Sequence, residues 1–246
     1  MLSTEFLSNF ISSDATVIDV GARDGDSLLP FLPLLKEGSQ MIAFEPIKKE
    51  MDSLIKMLEA NNIPEDRFSC NQFGINSATG EFDFLYDTKD RNGGLKEQLD
   101  HISKIAFEES GFQTQSVWDK QTKINTFCWK DLEKDLKNKM LKASFIKVDT
   151  EGSDIVVLRE LLPVINKTRP FIFLELYPGT AKEAIELINE IRYYCINAYS
   201  EMIFVSPDMK TINRGYLPLH NIGAQYNSGQ KDYFLAPFEM FKKTFD

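Results

Sequence analysis

The sequence predicts an α/β fold in which helices cover both faces of a doubly wound, mostly parallel sheet. Two observations support this fold class. Short β-branched or apolar runs alternate with helix-length segments, which is the pattern of βαβ units. Several of these runs also end in an acidic residue, at the sheet edge where such folds bind ligands. The clearest candidate strands are residues 16–20, 40–45, 143–149, 170–176 and 231–236.

Helices are predicted near residues 47–61, 153–162 and 180–195, and a short amphipathic helix within residues 1–13. Residues 26–37 also look helical, but they contain Pro30 and Pro33. Because proline removes a helical hydrogen bond and clashes with the preceding turn, we expect this helix to start late or to be distorted.

Two further strands are predicted at residues 67–75 and 80–86, joined by a turn at residues 76–80. Residues 88–120 then break the alternation, because they are polar, irregular and contain glycine. Long irregular segments in compact domains are usually functional, such as lids, or else disordered. We therefore predict a lid-like insertion on the acceptor side of a single domain spanning residues 1–246.

Composition narrows the class of protein. The formal net charge is −9, from 28 basic and 37 acidic residues, whereas nucleic-acid binders normally carry a basic surface. This disfavours nucleic acid as a partner, although a local basic patch stays compatible with it. The three cysteines are widely spaced and form no CxxC pair, which argues against a disulfide framework or a structural zinc site.

The sequence shows no secretory leader pattern and no apolar run close to the roughly 18 residues that a membrane span needs. We therefore expect a cytoplasmic protein without a membrane span, either a monomer or an oligomer.

The turn after the first strand is the most informative segment. Asp19 lies near the end of the strand, and Gly21 and Gly25 follow in the turn. Glycine permits positive φ values and close approach of a ligand, and this turn lies beside the switch point of a doubly wound sheet. The spacing lacks the third glycine of a dinucleotide-phosphate loop, so it suits S-adenosylmethionine, whose methionine amine Asp19 would receive directly or through water.

The second strand ends in Glu45, followed by Pro46. A carboxylate there can accept strong hydrogen bonds from both ribose hydroxyls of a cofactor. Its separation from the glycine turn, about twenty residues, matches one βα unit. NAD would use the same carboxylate, so Glu45 alone does not distinguish the two cofactors. Asn71, Gly74 and Ile75, near the end of the third strand, are candidates for the adenine pocket.

Three segments together resemble the FkbM family of methyltransferases. They are DVGARDGDS at residues 19–27, Phe44-Glu45-Pro46, and a strand running into DTEG at residues 149–152 before the helix SDIVVL. The resemblance covers roughly residues 14–177. It implies a class I methyltransferase fold with a seven-stranded Rossmann-like sheet, S-adenosylmethionine as cofactor, and O-methylation of a small hydroxyl compound such as a sugar or glycan precursor.

The residues of these motifs that we predict to contact the cofactor are Gly21, Ala22, Arg23, Gly25, Ser27, Glu45, Pro46 and Asp149. The sequence departs from the family pattern at Arg23, where asparagine is usual. It departs again at residues 126–128, where threonine-leucine-aspartate is common, and at Asn92-Gly93-Gly94, where a serine-containing loop is usual. The last two departures lie in the acceptor half and leave the substrate open.

Carboxylates are also expected on the acceptor side. Strand alternation places Lys147 and Asp149 on one face, Glu151 follows on the loop, and Glu175 ends the next strand. If these strands are neighbours, Asp149 and Glu175 converge beside the methyl donor. Asp149 or Glu151 would then accept the hydroxyl proton or orient the acceptor, and we hypothesise that Asp149 is the leading base. A buried lysine needs a partner, so Lys147 is either a structural ion-pair partner of Asp149 or Glu175, or part of the catalytic group.

The same carboxylates offer oxygen ligands to a divalent cation, which is possible but is not predicted. His101, in the insertion, is the runner-up base because its ordinary pKa is near neutrality. Tyr86, Phe112 and Trp118 are equally suited to stacking on a sugar and to the core.

Three alternatives stay open: an NAD-dependent oxidoreductase, a non-catalytic binding protein, and a methyltransferase acting on protein or nucleic acid, of which the acidic charge disfavours nucleic acid.

Overall fold

The computed structural model describes residues 4–8, 11–12, 14–87, 93–110, 118–176, 180–197, 203–205 and 232–239. The strands are β1 Thr16–Val20, β2 Gln40–Phe44, β3 Phe68–Asn71, β4 Gly74–Ile75, β5 Gly80–Tyr86, β6 Gly93–Leu95, β7 Lys120–Phe127, β8 Ala143–Val148, β9 Phe171–Glu175, β10 Tyr193–Asn197, β11 Ile203–Val205 and β12 Asp232–Pro237. The helices are α1 Thr4–Leu7, α2 Lys48–Ala60, α3 Lys96–Ser110, α4 Lys134–Met140, α5 Asp154–Glu160, α6 Leu162–Thr168 and α7 Ala181–Ile191.

The main sheet has eight strands in the described part of the chain, in the order β11-β10-β12-β9-β8-β1-β2-β3. The neighbours β3, β2, β1, β8 and β9 run parallel, whereas β12 runs antiparallel between β9 and β10. The doubly wound, mostly parallel sheet is therefore confirmed. The eighth strand, β11, adds an antiparallel edge that the sequence did not predict.

The centre of this sheet is buried on both faces. Every residue of β1 is buried, and Val17, Ile18, Phe145 and Ile146 have no exposed surface. Parallel strands that are covered on both faces read as continuous apolar runs rather than alternating ones. This burial explains why β1 and β8 could be recognised from the sequence.

The predicted strand at residues 67–75 is in fact two strands that belong to different sheets. β3 ends at Asn71 in the main sheet, and β4 joins a second sheet with the order β4-β7-β5-β6. Between them the Phe73 ring packs on Phe44 at 5.5 Å and on Phe127 at 4.6 Å between centroids. This packing turns the chain away from the main sheet.

Two helical predictions were wrong in part. Residues 26–37 contain no α-helix, only 3-10 turns at Asp26–Leu28 and Leu32–Leu34, because the two prolines interrupt helical hydrogen bonding. The helix predicted at residues 180–195 ends at Ile191, where Arg192 adopts a left-handed conformation and the chain enters β10. The aromatic residues that open this strand are suited to a sheet.

The insertion is more regular than predicted. Its described part contains β6, the 15-residue helix α3 and the start of β7. Residues 88–92 and 111–117, including Phe112, lie outside the described residues, as does residue 231 of the last predicted strand. Of the predicted N-terminal helix the structure describes α1, from which Leu7 packs into the core.

Within the described residues, every helix is too short or too polar to cross a membrane.

Candidate functional site

The carboxyl ends of β1, β2 and β8 meet at Gly21. The N–H groups of Gly21 and Ala22 both donate to the Phe44 carbonyl, at 3.0 and 3.1 Å. Gly21 has φ +85°, and a Cβ on it would lie 2.0 Å from the Asp149 carbonyl oxygen. Only glycine therefore allows the three strand ends to approach this closely.

The second glycine of the motif, Gly25, packs against α2 and does not face the cavity. Gly25 has φ +89°, and a Cβ there would lie 2.3 Å from Met57 Cε and 2.7 Å from Leu54 Cδ1, both on α2. Ala22, Gly25 and Ser27 do not line the cavity described below. This half of the motif closes the turn onto the neighbouring helix.

Glu45 presents a buried carboxylate at the tip of β2. Its Oε2 accepts the Arg23 N–H at 3.0 Å and its Oε1 accepts the Ile47 N–H at 2.8 Å. Burial raises the pKa of Glu45 to about 7, against the lowering effect of these two hydrogen bonds. Each carboxylate oxygen keeps a second lone pair for a ligand.

Lys147 joins two carboxylates beneath the same edge. Its Nζ lies 3.3 Å from Asp19 Oδ1 and 3.2 Å from Asp149 Oδ2. Burial alone would lower the pKa of Lys147, but the charges of Asp149 and Asp19 raise it above its ordinary value. Lys147 therefore remains protonated, and one of the ion-pair partners expected from the sequence, Asp149, is observed.

The three members of this group differ in exposure. The Asp19 side chain is 0% exposed and that of Lys147 is 5% exposed, whereas 35% of the Asp149 side chain is exposed. Burial raises the pKa of Asp19, and the charge of Asp149 raises it further, against the attraction of Lys147. Asp149 is thus the member that can reach a ligand.

Asp149, Glu151 and Glu175 converge, as expected if β8 and β9 are neighbours. Val148 pairs with Leu174 in the parallel register. One carboxylate oxygen from each of the three residues lies within 4.8 Å of those of the other two. Three carboxylate oxygens in this arrangement could bind a hard cation. The same three carboxylates could also share a proton or transfer it to one another.

Asp154 shapes the loop that carries Glu151. Its Oδ1 accepts the Thr150 N–H at 3.1 Å and its Oδ2 accepts the Gly152 N–H at 3.0 Å. Between these two donors, Glu151 adopts φ +52°, a conformation that is uncommon for a residue with a side chain. Burial, and then the charge of Asp149, raises the pKa of Asp154 to about 7. This role of Asp154 was not predicted from the sequence, although an acidic residue at the start of a helix is a recognisable signal.

The insertion packs directly on this loop. A Cβ on Gly94 of β6 would lie 2.7 Å from the Glu151 carbonyl oxygen, and one on Gly152 would lie 2.5 Å from Ile102 Cδ1 on α3. The described part of the insertion therefore supports the residues that carry the carboxylates.

A cavity of about 270 Å³ extends from this edge to the second sheet. This volume is near the lower end of ligand sites, roughly 300–1,000 Å³. Of the residues predicted from sequence, it is lined by Gly21, Arg23, Glu45, Pro46, Gly74, Ile75, Asp149 and Glu151. Asp19, Asn71, Lys147 and Glu175 do not line it.

Asn71 and His101, which were predicted to belong to the site, lie away from the cavity and contact other parts of the protein. The Asn71 amide donates to the Ala43 carbonyl at 3.1 Å and links β2 to β3. His101 is half exposed on α3, with Nε2 3.7 Å from Glu183 Oε1 on α7.

The opposite wall is one face of the second sheet. Tyr86 pairs with Lys120 and Phe84 pairs with Thr122 in the antiparallel register. Phe84, Tyr86, Lys120, Ile124 and Thr126 all line the cavity, as expected for alternate residues of two paired strands. β7 was not predicted from the sequence, although the alternation of Thr122, Ile124 and Thr126 with charged and polar residues is a strand signal.

The strand order of the main sheet and its edge at β1, β2 and β8 are those of the Rossmann-like class I methyltransferase fold. The family model of the methyltransferase FkbM domain matches residues 19–201, which is most of the chain. The chain belongs to the FkbM methyltransferase family. No curated protein sequence matches it significantly.

Solved structures are similar to the chain to different degrees. Methyltransferase FkbM from Methylobacillus flagellatus KT aligns with a TM-score of 0.51 at 16% identity, over 92% of this chain and 44% of that one. This chain thus spans less than half of that protein's length. The O-methyltransferase from Bacillus cereus, in complex with SAH, aligns with a TM-score of 0.46 at 12% identity, over 95% of this chain and 77% of that one. An rRNA methylase from Streptococcus thermophilus aligns with a TM-score of 0.44 at 7% identity, over 95% and 93%.

Proposed function

We propose that this protein is an S-adenosylmethionine-dependent O-methyltransferase that acts on a hydroxyl of a small molecule, a sugar or glycan precursor. One observation carries this proposal. A single cavity joins the edge that holds Glu45 and Asp149 to an apolar and aromatic wall from the second sheet. A methyl donor and an acceptor can therefore lie side by side.

The donor side fits the cofactor. Glu45 lines the cavity and retains acceptor capacity for ribose hydroxyls. Asp19 Oδ2 is a buried acceptor without a hydrogen-bond partner among the described residues, and it suits an amine reached through water. The Asp19, Lys147 and Asp149 group carries a net charge of about −1 when all three are ionised, and this negative charge favours a cationic sulfonium.

When bound, S-adenosylmethionine supplies an electrophilic methyl group whose carbon–sulfur bond breaks, with its electron pair going to sulfur, as the acceptor oxygen bonds to carbon. Asp149 receives the hydroxyl proton, because it is the exposed member of the ion-paired group and lines the cavity. Lys147 orients the Asp149 carboxylate. Holding the hydroxyl in line with the methyl group supplies much of the acceleration.

The acceptor wall favours a ring compound. Phe84 and Tyr86 add aromatic side chains to the lining, and Leu95 and Ile124 add aliphatic ones. The C–H edges of a sugar ring pack well on the electron-rich face of an aromatic ring. A folded protein or a duplex would not enter a cavity of about 270 Å³.

Two measurements test the proposal. Calorimetry should show that S-adenosylhomocysteine binds and that NAD does not. Incubation with methyl-labelled S-adenosylmethionine and a panel of sugars, activated sugars, glycans and protein extracts should then place the label in a carbohydrate. Binding of NAD alone would overturn the cofactor assignment, and label confined to protein would overturn the acceptor assignment.

A further inference from the structure

The mouth of the cavity carries charges that the methyl-transfer chemistry does not use. Lys49, at the start of α2, and Lys120, at the start of β7, both line the cavity and are exposed. Neither has an ion-pair partner within 4.0 Å among the residues that the structure describes. The same lining contains five carboxylates, Glu45, Glu50, Asp87, Asp149 and Glu151. Glu50, Asp87 and Glu151 take part in further interactions, Asp149 pairs with Lys147, and Glu45 accepts two backbone N–H groups.

Lys120 has a matched counterpart three residues along the same strand. Lys123 lies on the opposite face of the second sheet, where its Nζ is 3.3 Å from Asp83 Oδ1 and 3.9 Å from Glu81 Oε1. Strand alternation separates the two lysines. One is neutralised on the outer face, and the other directs its charge toward the cavity.

Lys120 lies beside an aromatic ring, so its charge would be close to any ligand that packs on that ring. Lys120 pairs directly with Tyr86 across the strands, and side chains of such a pair project on the same face about 5 Å apart. A ring compound packed on Tyr86 thus has an ammonium group at its edge. Lys49 adds a second positive charge from the main-sheet side of the mouth.

We propose that the acceptor is a ring compound that carries an anionic group, a phosphate or a carboxylate, which Lys120 binds at the mouth of the cavity with support from Lys49. This inference rests on the proposed O-methyltransferase function and narrows its substrate class. The anionic group lies at the mouth, and the hydroxyl to be methylated lies toward Asp149. An ammonium group binds either anion as a point charge.

The test offers each hexose of a panel in three matched forms: the neutral methyl glycoside, the uronate and the sugar phosphate. Label transfer from S-adenosylmethionine is measured for the full chain. We expect one of the two anionic forms to be methylated with a much lower KM than the neutral form, and this form identifies the anion. That KM should rise with ionic strength, because salt screens exposed charges.

Two variants locate the anion-binding group. Lys120→Gln should raise the KM of the preferred acceptor roughly tenfold, the effect of losing one charged hydrogen bond at a partly exposed position, with kcat nearly unchanged. Lys123→Gln should leave KM unchanged. Both variants should bind S-adenosylhomocysteine as tightly as the native chain.

Each other outcome has a distinct meaning. Equal use of neutral and anionic forms, or equal effects of the two lysine variants, would overturn the inference and leave the proposed function intact. Binding of S-adenosylhomocysteine without methylation of any sugar form would overturn the inference together with the carbohydrate acceptor. Failure to bind S-adenosylhomocysteine would overturn the proposed function itself.

Discussion

The main-sheet edge and the second sheet face each other across one cavity, but they are built differently. At the edge, backbone groups of Gly21, Phe44 and Asp149 contact one another directly. On the second sheet, the lining is set by which side chains alternate toward the cavity, such as Tyr86 and Lys120. The first construction tolerates almost no substitution, whereas alternating positions of β5 and β7 such as Tyr86 and Lys120 can change their side chains without moving the backbone. In the proposed function, the rigid edge holds the methyl donor and the more adaptable sheet faces the acceptor.

The largest effect should come from the edge residue that reaches the acceptor. Asp149→Asn removes the proposed base but keeps the shape of the side chain, so kcat should fall roughly 10²–10⁴-fold, the usual contribution of proton transfer. Binding of S-adenosylhomocysteine, measured by calorimetry, should change little. Asp52→Asn is the control, because Asp52 lies on the exposed face of α2 and pairs only with Lys48 in the described structure. Unchanged turnover in Asp149→Asn would remove this residue from the role of base.

The second effect tests how rigid the edge is. Gly21→Ala forces a Cβ to within 2.0 Å of the Asp149 carbonyl oxygen at a positive φ, and such strain destabilises a fold by roughly 3 kcal/mol or more. In a domain of this size Tm should then fall by roughly 6–12 °C. Gly38→Ala is the matched control, because its Cβ would come no closer than 3.4 Å to Asp14 Cβ. Equal melting temperatures for the two variants would show that the edge adapts more easily than its contacts indicate.

The third prediction concerns the pH dependence of the donor site. Burial raises the pKa of Glu45 to about 7, so its carboxylate is mostly ionised at pH 8 and mostly protonated at pH 6. Ribose hydroxyls prefer the ionised form, so the affinity for S-adenosylhomocysteine should rise with pH up to about 7 and then level off. It should be about tenfold weaker at pH 6 than at pH 8, since one pH unit below the pKa changes the ionised fraction tenfold.

Glu45→Gln is the comparison for this measurement. The variant should bind S-adenosylhomocysteine more weakly than the native chain at pH 8, with an affinity that no longer depends on pH. A native affinity that stays constant from pH 6 to pH 8 would argue against Glu45 as the titrating ribose contact.

The smallest effect should come from the insertion. His101 is half exposed and lies outside the cavity lining, so His101→Ala should change kcat/KM by about twofold or less, as expected for exposed substitutions. Steady-state kinetics with the preferred acceptor measures this value. A hundredfold loss of kcat/KM would instead support His101 as the base and would indicate that the acceptor binds closer to α3.

The sequence predicted the edge well because its signals are local. The turn around Gly21 and the carboxylate at Glu45 each lie within one short segment, so pattern and position coincide. The ion pair of Lys147 with Asp19 was missed because it depends on β1 and β8 being neighbours. Asp19 and Lys147 are register partners across 128 residues of chain, and no local pattern reveals that register.

The second sheet was harder to predict for a related reason. β4 has only two residues and continues almost directly from β3, so the two strands read as one. β7 shows a strand pattern at Thr122, Ile124 and Thr126, but its charged and polar outer face resembles a loop. Exposed sheets with one polar face carry a weaker apolar signal than buried parallel strands do.

The close contact of Gly94 with Glu151 and of Gly152 with Ile102 has a consequence for engineering. Segments 93–110 and 150–154 therefore depend on each other. A larger side chain at this junction in one segment would require the backbone or a side chain of the other segment to move. A chimera that imports the insertion of a relative should therefore import the matching carboxylate loop as well. A graft of either piece alone would meet the steric block of its new neighbour before any difference in acceptor preference could be observed.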